Sequence, residues 1–567
     1  MRHLGSVAAA FLLFAGCAHM RSGESHPACQ EIAGNTTGVA PSPGAMPDTP
    51  ADSTSAPAIQ EFPPVQGALP DTRTPPSTSP RLTLETISAD RIVPRVKTPM
   101  RRERPDDSEG MAPTEAPPGR PQQGPAWGDE ASKSYVIPAV EIVGFEFLLN
   151  AYDRRYDVED VYRTDWSSIR RNLHRGWIID DDPFATNQIM HPYQGSLVHG
   201  FARSAGLTYW ESLGYDAAGS ALWEVAGETG PPSANDLITT TFGGSFLGEA
   251  LFRMAGFLLE GGGRSPGLFR ELGAAIISPP TGINRVAFGD RFDGAYPSHE
   301  ASTFMRFGVG ARRNARLADL GALSDAPREE AVADFSFEYG LPGKPGYTYT
   351  RPFDYFQFEA AATSSSRALP ESIMTRGLLY GAPYAVGDSY RGIWGLYGSY
   401  DYMSPEVFSV SSTALSLGTT GQIRVSDVVT LQGTLLAGVG WTAVGTIADA
   451  RTDRDFHYGY SPQGLAAFRF IFGDVAMLDM TGREYYVGGY FSHDETVREN
   501  ILRGQVSLTV RVYGHHALGI QFVSSVRNSS LFDVVGGFEE VGALSIFYTY
   551  ISEPDFGAVD WRDIGHP

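Results

Sequence analysis

Cysteine is nearly absent, with only Cys17 and Cys29 in 567 residues. So few thiols exclude a disulfide framework and a cysteine-rich zinc site. Cations are also scarce, 44 Lys and Arg against 65 Asp and Glu, for a formal net charge of -21. That balance argues against nucleic acid as a partner, because phosphate binding needs clustered Lys and Arg. Apolar runs of membrane-spanning length are missing as well. The run from Val7 to Phe14 and the stretch IPAVEIVGFEFLLNAY at 137–152 are both short for a bilayer-spanning helix.

The N-terminus carries a short basic start (Arg2, His3), that first apolar run and then Phe14-Ala15-Gly16-Cys17. It resembles a bacterial lipoprotein signal, with residues 1–16 removed and Cys17 the lipidation site. A secretory signal cut a few residues later is the alternative, and either one exports the chain. Ala18 stands where enterobacterial inner-membrane lipoproteins carry a retention aspartate, which points to the outer membrane. Cys29 is then left without an intramolecular disulfide partner. Residues 17–130 are rich in Pro, Ser and Thr, as in TRTPPSTSPRLT and EAPPGRPQQGPA. Such a segment buries too little apolar surface to offset its ordering entropy and is expected to be a disordered periplasmic tether.

From 131 to 283 the pattern is helical. The stretch at 137–152 is apolar nearly all round, with Glu146 and Asn150 four apart, as in a buried helix that satisfies a few polar groups internally. Further on, Ser233-Ala234-Asn235-Asp236 reads as a helix start, and Gly244 and Gly248 permit close helix contact. From about Asn284 the period becomes two. Phe335, Phe337, Tyr339 and Leu341 alternate with Asp334, Ser336, Glu338 and Gly340, and Val506, Leu508, Val510 and Val512 with Ser507, Thr509 and Arg511. About twelve such segments fill 284–553, ahead of a C-terminal tail at 554–567. The expected fold is α+β, mainly β: a helical N-terminal module followed by an antiparallel transmembrane β-barrel of about twelve strands. A soluble β-sandwich would also alternate, but its edges would need protection that a closed barrel does not.

The helical stretch holds a run of motifs: Trp177, Asp180 to Pro183, Asn187, HPYQG (191–195), ARSAG (202–206), YWES (209–212), GSALWEVAGE (219–228), PSANDLITTTFGG (232–244) and GEALFR (248–253). Together they resemble the bacterial family called domain of unknown function 3943. The resemblance implies a helical region paired with a C-terminal barrel-like region, and it implies no reaction, since the family has none assigned.

Four residues are candidates for catalysis. Glu224 and Glu228 lie one helical turn apart, and His191 and His199 about two turns apart. With His191 or His199 as base and Glu224 or Glu228 orienting it, an envelope enzyme acting on a lipid or glycan is one reading. No H-E-x-x-H or Glu-x-x-His pair is present, so neither a metal nor another cofactor is implied. Gly263-Arg264-Ser265-Pro266-Gly267 fits the nucleophile-elbow spacing, but Pro266 lacks the N–H that the oxyanion requires. The structural reading is a polar network of Arg203, Glu211, Glu224, Glu228, Ser233, Asn235, Asp236, Glu249 and Arg253. In it, helices that plug or dock against the barrel face strand charges such as Arg306, Glu338, Glu359 and Arg511. The protein is then an outer-membrane lipoprotein, lipid-anchored and barrel-inserted, with a structural, transport-related or envelope-organising role. Outer-membrane lipid is its expected partner, and an envelope protein or a small-molecule ligand would be a further one.

Overall fold

The computed structural model describes residues 133–156, 160–180, 182–262, 266–289, 301–316, 328–364, 370–405, 408–446, 456–488, 498–530 and 538–559. The signal peptide, Cys17, the tether, Ser265 and the last residues of the tail lie outside them.

Twelve strands close into one antiparallel barrel in sequence order. They are β1 Thr303–Arg316, β2 Arg328–Tyr339, β3 Phe356–Thr363, β4 Ser372–Val386, β5 Tyr390–Met403, β6 Phe408–Arg424, β7 Val429–Thr446, β8 Phe456–Phe472, β9 Ala476–Gly488, β10 Arg498–Tyr513, β11 His516–Ser530 and β12 Phe538–Ile551. Closure comes from β1 against β12, from Arg306 opposite Ile551 to Arg316 opposite Val541, so no edge is left unpaired. At one end the β4–β5, β6–β7, β8–β9 and β10–β11 hairpins are tight, while β2 and β3 are joined there by the longer connection 340–355. Gly473 and Gly514 open two of these turns at φ 55° and 54°, a conformation that glycine adopts without steric cost. The change to strand periodicity comes later than Asn284, which belongs to the helix Pro279–Phe288.

Period two sorts each strand into an apolar outer face and a polar inner one. On β10, Leu502, Val506, Leu508 and Val510 are exposed while Arg503, Ser507 and Thr509 are buried. Outward apolar residues of this kind are what a membrane-spanning barrel presents to lipid.

The inner face is identified by contacts between strands that are not neighbours, which must cross the interior. Arg483 on β9 reaches Glu359 on β3 at 3.2 Å, and Arg469 on β8 reaches Glu338 on β2 at 2.8 Å. Arg306 on β1 meets Asp479 on β9 at 3.1 Å, and Tyr485 on β9 donates to Asp401 on β5 at 2.8 Å. The chain after β12 turns back into the same space. There Phe556 is buried with Phe304 and Ile551, Gln422 Nε2 donates to the Gly557 carbonyl at 2.8 Å, and Val559 N donates to Gln422 Oε1 at 3.0 Å.

The helices are α1 Val136–Tyr156, α2 Trp166–Asn172, α3 His191–Ser204, α4 Tyr209–Leu222, α5 Ala234–Ile238, α6 Gly244–Glu260, α7 Leu268–Ile277 and α8 Pro279–Phe288. Single π-helical turns at Thr186–Met190, Trp223–Gly227 and Thr239–Gly243 interrupt them. The centre of the module is the α3–α6 crossing, where glycines remove the side chains that would keep the backbones apart. A Cβ on Gly195 would lie 2.0 Å from the Thr240 carbonyl oxygen, and one on Gly248 would lie 2.8 Å from His199 Cβ.

These helices lie against the outer wall of the barrel, not in its lumen. Register partners share a face, and one row runs Phe337, Phe358, Thr375, Tyr400, Thr413, Trp441, Tyr460. Tyr460 is exposed, so this is the outward row, in opposite phase to Glu359 and Asp401. The module covers its neighbours. Phe184 packs on Tyr402 and Phe456, Phe246 faces Gly398, and Tyr400 donates to the Gln188 carbonyl at 2.5 Å. The expectation that helix charges face Arg306, Glu338, Glu359 and Arg511 is therefore corrected. The first three pair across the lumen, and Arg511 pairs with Asp474 beside a turn. Strand and helix charges form separate sets because the barrel wall stands between them.

Docking depends on Gly398, where a Cβ would stand 2.3 Å from the Phe246 ring. Gly398→Val is expected to leave a barrel that still shows heat-modifiable migration in SDS gels, while trypsin gains access to the otherwise buried Arg203 and Arg253. Unchanged trypsin resistance would show that this contact does not hold the module in place.

Candidate functional site

Two polar clusters occupy the helical module. The first begins with α4, which starts at a capping box: Thr208 accepts from Glu211 N, and Glu211 accepts from Thr208 N at 2.7 Å. Glu211 is thus a capping residue, further tied to Tyr135 at 2.7 Å and Lys133 at 3.3 Å, and stands apart from the buried charges. The cap fixes where α4 begins, and Asp216 is carried into the interior on its third turn.

There His199 on α3 stands between two carboxylates. Its Nδ1 lies 2.7 Å from Asp216 Oδ2 and its Nε2 lies 3.2 Å from Glu249 Oε2 on α6. Glu249 also accepts from Arg203 Nε at 2.5 Å and from Arg253 Nε at 2.8 Å. Arg253 continues to Asp354, in the connection between β2 and β3, at 3.1 Å, and to the Pro352 carbonyl at 2.7 Å. Burial opposes a charged His199, but a carboxylate at each ring nitrogen outweighs it and holds the pKa above the ordinary histidine value. Glu249 is likewise buried, and its arginine and histidine neighbours bring its pKa well below the usual carboxylate range. The cluster locks α3, α4, α6 and the barrel together, with a carboxyl group at each ring nitrogen of His199. With both ring nitrogens engaged inside the cluster, His199 is not placed to take a proton from a substrate.

The second cluster lies where the π-helical turns meet the barrel wall. Tyr458 OH accepts from Gln188 Nε2 and Asn235 Nδ2, both at 2.9 Å, and from Asn187 Nδ2 at 3.2 Å. Asn187 and Asn235 also donate to Asp180 at 2.7 and 2.9 Å. Ser233 caps α5 through the Asp236 N–H, and its own N–H donates to Glu224 at 2.7 Å. His191 Nε2 stands 3.8 Å from Asp236 Oδ2. Glu228 lies past the π turn in extended backbone and accepts from the Trp223 indole at 2.9 Å.

Burial, and then the charge of Glu228, raise Glu224 to about 9; burial, and then Asp182, raise Glu228 to about 8. Burial and the charge of Asp180 raise Asp236 well above the ordinary value. Asp180 is lowered instead, because donors from Asp236 and Asn235 outweigh its burial. Burial thus favours the protonated forms of Glu224, Glu228 and Asp236, while the donors around Asp180 favour its ionised form.

The four catalytic candidates are divided between the two clusters. His199 joins Asp216 and Glu249, while His191 joins Asp236 in the cluster that holds Glu224. Asp216 and Asp354 went unread in the sequence. For Asp216 a signal exists, since Ser212, Asp216, Gly219 and Ser220 form a small and polar stripe on one face of α4, all buried. Among the described residues no group of three or more His, Cys, Asp and Glu is placed to hold a metal ion.

Residues 176–280 match the family described as Domain of unknown function (DUF3943), a span that contains both clusters apart from Asp354 and Tyr458. No curated protein matches the chain. Among solved structures the chain is similar to the NanC porin, 6% identical over 42% of this chain and 98% of that one, with a TM-score of 0.23. It is similar to the translocator domain of autotransporter NalP from Neisseria meningitidis, 15% identical over 44% and 89%, at 0.20. It is also similar to the outer membrane channel DcaP of Acinetobacter baumannii, 8% identical over 44% and 98%, at 0.21. The barrel itself is established by its strand pairing, not by these likenesses.

Glu249→Gln would leave His199, Arg203 and Arg253 without their shared anion and is expected to destabilise the module by about 3–5 kcal/mol, read as a lower urea midpoint of tryptophan fluorescence in detergent. The folded protein binds the His199 proton more tightly than the unfolded chain. Its contribution is therefore complete below a pH of about 6.5 and is lost as pH rises through the raised folded value. The raised Glu224 and Glu228 act in the same direction. The midpoint should fall between pH 6 and 9, with His199→Gln and Glu224→Gln each flattening the slope; a rising midpoint contradicts both assignments.

Proposed function

We propose that the protein is an outer-membrane β-barrel that serves as a closed structural scaffold of the envelope, anchored by acylated Cys17 and tethered through periplasmic residues 17–130. The observation that carries this reading is the set of ion pairs across the lumen, Arg483 with Glu359, Arg469 with Glu338 and Arg306 with Asp479. An open channel keeps its interior charges for water and solute, whereas these are committed to one another. The returning tail closes the tight-turn end further, and in outer-membrane barrels short turns mark the periplasmic side. The apolar outer face, with Leu502, Val506 and Leu508 exposed, fits the hydrocarbon of a bilayer. Outer-membrane lipid is the partner this reading requires.

An envelope enzyme is the second reading. It is favoured by His191 beside Asp236 in a cluster whose Glu224 holds its proton at neutral pH, the state a general acid needs. His191→Ala and Glu224→Ala variants that fold and leave every envelope phenotype intact would end it.

In planar bilayers the purified full-length protein is expected to insert without stepwise ionic conductance. Steady porin-like steps from the wild-type chain would overturn the closed scaffold. Metabolic labelling with palmitate should mark the wild-type chain and not Cys17→Ser; equal labelling, or none in either, removes the anchor.

A further inference from the structure

The helical module is built inside out. On α1 the residues turned outward are apolar: Val136 is 72% exposed, Val140 66%, Val143 57% and Phe147 70%. Between them polar residues point inward, Glu146 accepting from Gln194 at 2.7 Å and Asn150 donating to the Tyr162 and Gly227 carbonyls at 2.9 and 2.7 Å. The same inversion holds on α7, where Leu268, Phe269, Leu272 and Ile276 are exposed. There Glu271 is paired with Arg285, and Arg270 is bound to the Leu258 carbonyl. On α6, Glu249 and Arg253 are buried while Phe257 is exposed. A helix at a water-facing protein surface has the opposite arrangement, with apolar residues inward and charges outward.

The position of the module accounts for this. It covers part of the outward face of the barrel wall, and the remainder of that face is apolar and exposed at Trp394, Leu415 and Val439. The two surfaces join where Trp210 of α4 stacks on the outward Tyr380 of β4, with ring centroids 5.2 Å apart. Anything docked on the lipid-facing wall displaces lipid there and presents its own far side to the same surroundings.

We infer that the helical module lies in the lipid annulus of the barrel, with the outer faces of α1 and α7 in contact with bilayer acyl chains. Acyl chains suit these faces better than a second protein does. α1 packs on α3 and α4 whereas α7 packs on α6 and α8, so the two stripes belong to different parts of the module, and lipid covers both without a partner shaped to each. The surface also changes where α1 ends. Arg154, Arg155, Arg163, Arg170, Arg171 and Arg175 are all exposed, the composition expected at the level of anionic headgroups. No helix among the described residues is long and apolar enough to cross a membrane, and none has to, since the barrel supplies the span.

This inference rests on the barrel being membrane-inserted, and one experiment separates the two. The full-length protein is reconstituted into phosphatidylcholine and phosphatidylglycerol vesicles doped with a phospholipid that carries a diazirine on its acyl chain. After irradiation, adducts are mapped by mass spectrometry. Labelling is expected on the β10 belt from 502 to 512 and at comparable yield on 136–148 and 268–276, with several-fold less on 160–175. A labelled belt with unlabelled helices overturns the inference and leaves the barrel reading intact. Absence of label from both overturns both. Helices that stay unlabelled while cross-linking to a second copy assign the stripes to self-association instead, which also overturns the inference.

Discussion

The carboxylate of Glu249 accepts from Arg203 and Arg253 and faces the ring of His199, with all four groups buried. Removing these charges from water costs several kcal/mol for each ion unless opposite charge and hydrogen bonds meet them. That requirement fixes the relative positions of α3, α4 and α6, and through Arg253 and Asp354 it fixes the module against the connection between β2 and β3. The glycines at 195, 244 and 248 serve the same end, since only bare backbone brings α3 and α6 close enough for the side chains to meet.

The barrel obeys the same rule in a separate compartment. Its inward arginines reach acids on strands six to eight positions away in sequence order, so the interior is held together from one wall to the other. Such a lumen resembles the polar core of a packed domain more than an aqueous pore. Apart from Arg253 with Asp354, the ion pairs of the strands and of the helices are made within each part, and the surface between them is built mainly from aromatics: Phe184 on Tyr402 and Phe456, Phe246 against Gly398, Trp210 on Tyr380. Tyr458 and Tyr400 add polar contacts at the same wall. An aromatic seam on the outward side of the wall gives the module a defined seat that needs few charges.

The legible features were those with local causes. Alternation over 335–339 and 506–512 reports a two-faced strand, and repeated about twelve times it reports a barrel; Leu341, read as part of the first run, lies past the end of β2 and packs with Phe304 and Phe556. The capping potential of Ser233 was readable because a cap is made by residues a few positions apart. Asp354 was not readable, because its partner Arg253 is a hundred positions away and belongs to another element. Glu224 and Glu228 read as a pair one turn apart, yet the π turn between them sends one carboxylate to Ser233 and the other to Trp223. His191 and His199 read as a pair as well, and the elements packed around them gave each its own acid.

By itself, then, the sequence determined the acidic balance, the two-period barrel, the helical block ahead of it and the set of charges that must be buried. Tertiary structure alone decided on which side of the wall the helices lie and which acid meets which base. The reason is physical: a polar residue bound for a lumen and one bound for the interior of a helical bundle carry the same local pattern, and only the closed wall between them tells the two apart.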